Sequence, residues 1–89
     1  MGLDIVEMVM EVEDQFGLVI PDADAARLQT VGDLYSYVRA HARGLPERPV
    51  PGAPDPVWER LLDVLEEETG HERSRLTPGA RFVRDLGMD

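Results

Sequence analysis

Residues 1–14 read Met-Gly-Leu-Asp-Ile-Val-Glu-Met-Val-Met-Glu-Val-Glu-Asp, and residues 81–89 read Arg-Phe-Val-Arg-Asp-Leu-Gly-Met-Asp. In the first stretch and its continuation, Ile5, Val9, Val12 and Phe16 recur at helical spacing and put an apolar stripe on one face. Asp4, Glu7, Glu11 and Asp14 form a second, acidic stripe at i, i+3, i+7 and i+10. Gly17 supplies a C-terminal cap, so a helix is expected from Leu3 to Phe16. The closing stretch has no such period. It reads as the end of a long loop, with a turn of helix near Pro78, pinned by Leu76, Phe82, Val83 and Leu86.

The segments between follow the same logic. Leu18 and Ile20 sit in a loop, and Pro21-Asp22 can start a short helix reaching Leu28. Thr30 with Asp33 three residues on resembles a capping box and begins a helix over 30–42, with Val31, Leu34, Tyr35 and Val38 on its apolar side. Residues 43–56 hold five prolines and two glycines, which excludes a helix and reads as a semi-rigid linker. Asp55-Pro56 fits an N-cap followed by proline in the first turn of a helix over 57–69, with Leu61, Val64 and Leu65 inward and Gly70 as its stop. The expected class is all-α.

Set before the opening stretch, the closing stretch resembles the centre of the acyl carrier protein family, which reads Asp-Leu-Gly-x-Asp-Ser-Leu-Asp-x-Val-Glu-Leu-Val-Met. Residues 3–41 match the second half of that pattern without a gap, through the Glu-Asp-x-Phe-Gly-x-x-Ile-Pro-Asp run of residues 13–22 and Thr-Val-Gly-Asp from Thr30. Residues 57–89 match the first half, through Thr77, Phe82, Val83, Asp85, Leu86 and Gly87. The resemblance implies one small four-helix carrier bundle in circularly permuted order. Residues 1–42 supply helices II, III and IV, residues 43–56 a proline-rich linker, and residues 57–89 helix I and its loop. The family's attachment serine would follow Asp89, and Gly2 stands at that position.

Composition narrows the function classes. The chain has 89 residues, no cysteine and a formal charge of −9, so neither a disulfide framework nor a Cys-based zinc site is available. Residues 1–42 hold eight acids against Arg27 and Arg39, and so carry −6. That field repels nucleic acid and anionic lipid and attracts basic protein surfaces. No apolar run has the length of a membrane span. The N-terminus is acidic within four residues and lacks a basic leader, so the expected location is cytoplasmic.

No catalytic pair stands out, so a non-enzymatic role is expected. Like charges along the first helix cost a few tenths of a kcal/mol per pair, and Glu13 and Asp14 sit at the unfavourable end of the helix dipole. In carrier proteins, the resemblance implies, this helix docks on basic patches of synthases and transferases. Asp4, Glu7, Glu11, Glu13 and Asp14 would then contact partners, with Val6 and Met10 as the apolar centre. The plain alternative is a solvated face. Glycine at position 2 offers no nucleophile, so no cofactor and no metal are expected. The competing reading is a genuine acyl or peptidyl carrier seen as an excised or permuted piece, which alone would take 4'-phosphopantetheine. Ser36 and Ser74 read as surface residues, His41 and His71 lack a ligand or nucleophile partner, and Glu66, Glu67 and Glu68 read as charged surface. The linker is long enough to allow a monomer or a half-exchanged dimer.

Overall fold

The computed structural model describes residues 3–88, with Leu3 described in its backbone alone. Four α-helices are present among them: α1 (Leu3–Phe16), α2 (Asp22–Ala25), α3 (Val31–His41) and α4 (Pro56–Thr69), followed by a 3-10 turn at Arg73–Arg75. The all-α expectation holds. Gly2 and Asp89, the two sides of the expected join, lie outside the described residues.

Each helix ends where local chemistry stops it. Gly17 takes the left-handed conformation (φ 64°) and its N–H donates to the Glu13 carbonyl at 2.9 Å. Gly70 does the same for α4, with φ 72° and a 3.0 Å bond to Glu66. Asp55 caps α4 by accepting from the Val57 N–H at 3.0 Å, with Pro56 in the first turn. The capping box of α3 is complete. Asp33 N donates to Thr30 Oγ1 at 3.0 Å, and Thr30 N to Asp33 Oδ2 at 3.1 Å.

The start of α3 also joins distant parts of the chain. A helix leaves its first four N–H groups without internal partners. Here Val31 N donates to the Ala80 carbonyl at 3.0 Å and Gly32 N to the Pro78 carbonyl at 2.8 Å, while Asp33 and Leu34 are served by Thr30. Phe82 N returns the connection to the Gln29 carbonyl at 3.0 Å. Gly32 is required by this approach, because a Cβ there would lie 2.8 Å from the Pro78 carbonyl oxygen.

That stitching accounts for two corrections. The short helix ends at Ala25 and not at Leu28: its exit tightens into i to i+3 bonds, Arg27 N to Asp24 and Leu28 N to Ala25, so that Gln29 and Thr30 can run extended beside Arg81. The expected turn of helix near Pro78 is a β-turn, closed by Ala80 N to Thr77 at 3.0 Å. The 3-10 turn lies earlier, where Arg73 is drawn back onto α4.

One core joins all these elements. Met8, Val12, Leu34, Leu61, Leu65 and Phe82 are among its most deeply buried members, and α1 packs along α4. Leu76 and Leu86 anchor the loop as expected, but Val83 does not: it is 63% exposed. Phe82 turns inward through bonds to Gln29 and from Met88, which sends its neighbour outward, and Ala80 and Met88 fill the seats instead. Met8 belongs to the α1 stripe because it lies three residues from Ile5 and four from Val12. Tyr35 stays half-buried on the expected apolar side of α3.

The proline-rich stretch is tied to the bundle. Arg39 on α3 donates to the Pro46 carbonyl and pairs with Asp55 at 2.8 Å, while Tyr35 donates its hydroxyl proton to Asp55. Burial pushes the Asp55 carboxyl up. Bonds from Tyr35 and from the backbone N–H groups of Trp58 and Val57, with the Arg39 charge, outweigh it and hold that carboxyl below its ordinary range.

Candidate docking face

Along α1, Asp4, Glu7, Met10 and Asp14 are exposed, and Glu11 and Val6 are half-buried. Met10 is 59% exposed and stands between the acids. The amphipathic period of the helix does this: burying Met8, Val9, Val12 and Phe16 turns the acidic stripe outward. Glu11 accepts a bond from Gln15 at 3.0 Å. Among the described residues, no carboxylate of α1 takes part in an ion pair.

Glu13 is placed differently from the other acids. Its carboxylate accepts the Ile20 N–H at 2.8 Å and ties the loop after α1 to the helix. The bond gives Glu13 an internal structural task, whereas Asp4, Glu7 and Asp14 face solvent.

A further residue joins the face from the other half of the chain. Glu68, on the last turn of α4, lines an open groove of about 270 Å³ together with Glu7, Met10, Glu11 and Asp14. Burial pushes the Glu68 carboxyl above its ordinary range, and the charges of Glu11, Glu67 and Glu7 push it further. In sequence, residues 66–68 read as one charged run, which does not single out Glu68. The available signal was helical phase, which sends three consecutive side chains in three directions. Glu66 pairs with Arg73 at 2.6 Å, Glu67 is exposed, and Glu68 turns toward α1.

The remaining titratable candidates have structural partners. His71 bonds the Leu86 carbonyl at 2.8 Å, and His41 stacks on Tyr37 with ring centroids 3.9 Å apart. Among the described residues, no group of three or more His, Asp or Glu has an arrangement that could hold a metal ion. No helix among them is long and apolar enough to cross a membrane.

The Asp-Leu-Gly motif has its own local chemistry. Asp85 accepts the Arg81 N–H at 2.9 Å, Leu86 is buried, and Gly87 takes φ 67°. Its side-chain bond and glycine turn shape the end of the loop, and His71 fastens it to the last turn of α4.

The described residues thus form a small helical bundle with an acidic helix face that makes no ion pair among them. Residues 3–38 match the family model described as "Phosphopantetheine attachment site". Over 40 residues the chain is 54% identical to an acyl carrier protein of Lactobacillus johnsonii and 46% identical to one of Lactobacillus acidophilus. Each match covers 45% of this chain and 50% of the relative. The chain therefore spans about half the length of the curated relatives it matches. No solved structure matches. Over these residues the chain is similar to acyl carrier proteins, and its helical fold agrees with that likeness.

The group named by that family description attaches through a serine hydroxyl. Ser36 lies within α3 and Ser74 in the 3-10 turn, both exposed and neither at the head of α1. The described residues therefore do not fit covalent attachment there.

Proposed function

We propose that this chain is a carrier-like interaction module in permuted order, which presents the α1 face to basic surfaces of carrier-binding synthases or transferases. It acts in the cytoplasm and carries no covalent phosphopantetheine. The observation that supports the docking role is the acidic stripe of Asp4, Glu7, Glu11 and Asp14, which lacks a cationic partner among the described residues and has Met10 exposed at its centre. Interfaces of this kind combine an apolar anchor with a charged rim, so charge sets approach and orientation. Glycine at position 2, directly before the matched segment, supports the absence of the arm.

The test is capture of a carrier-binding synthase or transferase on the immobilised chain. Saturable binding that weakens with salt, and weakens further in the Glu7→Arg, Asp14→Arg double variant, is expected. Binding indifferent to both would overturn the docking role.

The second reading, a genuine carrier, is favoured by the family description of residues 3–38. Intact mass before and after coenzyme A and a broad phosphopantetheinyl transferase separates the two. An unchanged mass, beside a carrier that gains the arm, supports the non-covalent module. A gain of one phosphopantetheine makes the chain a carrier.

A further inference from the structure

We propose that the cleft between the head of α3, the first turn of α4 and the proline-rich stretch binds a small amphipathic anion: a flat apolar body bearing one carboxylate. This site is separate from the α1 docking face and does not rest on that reading. The cleft has a volume of about 400 Å³ and is lined by Gly32, Tyr35, Ser36, Arg48, Asp55, Trp58 and Pro78. That is the lower part of the roughly 300–1,000 Å³ range of small-molecule sites.

Its walls suit a flat apolar body. Tyr35 and Trp58 meet edge to face, with ring centroids 5.4 Å apart and planes at 81°, and Pro78 adds a third apolar surface. The tight approach of Gly32 to Pro78 holds that third surface against α3.

The charge balance selects an anion. Asp55 is already satisfied by Arg39, by the Tyr35 hydroxyl and by the Val57 and Trp58 N–H groups. Arg48 is different. Its guanidinium carbon lies 5.7 Å from the Tyr35 ring centroid, and among the described residues it takes part in no ion pair. The Ser36 hydroxyl, also on the lining, is exposed. In a chain of charge −9, this cleft offers a guanidinium that no carboxylate neutralises. A guanidinium held over an aromatic ring at this distance keeps its N–H fork for a carboxylate, and the pairing is directional as well as charged.

Trp58 is the only tryptophan, so its emission reports on the cleft. Phenylacetate is titrated into the full chain beside phenylacetamide, its uncharged counterpart, and binding is followed by Trp58 fluorescence and by amide and indole N–H shifts in NMR. The expected result is saturable binding of phenylacetate, with shifts centred on Gly32, Ser36, Arg48 and Trp58. Phenylacetamide, and phenylacetate with Arg48→Ala, should each bind about tenfold more weakly. Arg48 is exposed, and an unchanged far-UV circular dichroism spectrum confirms that its variant is folded. Arg84→Ala, an exposed arginine outside the cleft lining, should leave binding unchanged. The proposal is overturned by absence of saturation, by equal binding of acid and amide, by an unaffected folded Arg48→Ala variant, or by shifts centred on α1.

Discussion

Two helices of this bundle carry acids at nearly the same spacing and use them in opposite ways. On α4, Glu59, Asp63 and Glu66 converge on Arg73, which pairs with all three. On α1, Asp4, Glu7, Glu11 and Asp14 form no ion pair among the described residues, and Glu68 of α4 joins Glu7, Glu11 and Asp14 along one groove. The α4 stripe is bridged by an arginine of the 3-10 turn and holds that turn against the helix. The second keeps its charge for the outside. An acidic stripe in sequence is therefore ambiguous, and a single arginine from the turn that follows the helix changes what it does.

The largest expected loss of stability comes from the join between α3 and the 77–80 turn, outside both stripes. Gly32→Ala forces a Cβ against the Pro78 carbonyl, and a loss of about 1–3 kcal/mol is expected in chemical denaturation. A loss below about 0.5 kcal/mol would mean that the 77–80 turn yields and does not hold α3 in place.

Charge reversal tests the contrast itself. Glu7→Arg with Asp14→Arg should weaken partner capture by about tenfold, whereas Glu59→Arg with Asp63→Arg should change it by less than about twofold. Equal losses from the two pairs would erase the distinction drawn between the stripes.

Arg73→Ala releases the α4 acids from their partner and leaves them to repel one another. The thermal midpoint should fall, and added salt should recover more of it than it adds to the parent chain. A midpoint that does not move would mean that the Arg73 contacts are exposed pairs of no net value.

The smallest effect sharpens the other side. Glu68 has a raised carboxyl pKa in the fold, so the folded state holds its proton more readily than the unfolded chain. Relative to low pH, stability is therefore lost as pH rises from the ordinary 4.5 through the raised value. Glu68→Gln should be the more stable protein at pH 7, with the advantage closing as pH falls below 4.5. Denaturation midpoints at several pH values check this, and a penalty at pH 7 would place Glu68 among favourable contacts.

Much of this was legible before packing was known. The capping box at Thr30 and Asp33, the Asp55 cap and the Gly17 and Gly70 stops are written in residues close in sequence, so local chemistry announces them. The residues that misled, Val83 and Leu28, lie where the 77–88 loop meets residues 29–32, and no local pattern encodes a partner some fifty positions away. The outward stripe on α1 was equally legible from helical phase. Glu68 as its fifth acid was not, and neither was the internal bond that separates Glu13 from the rest.

Read alone, the chain dictates four helices, their ends, an acidic face on the first of them and its likeness to acyl carrier proteins, because period, caps and composition act over a few residues. Packing dictates which acids stay free. Arg73 reaches α4 by a turn of the loop, Glu68 meets α1 through the α1–α4 contact, and Arg48 reaches Tyr35 because Arg39 holds the proline-rich stretch at Pro46 and Asp55. Each of these depends on how turns and helix pairs bring separate elements together, which only the folded chain sets.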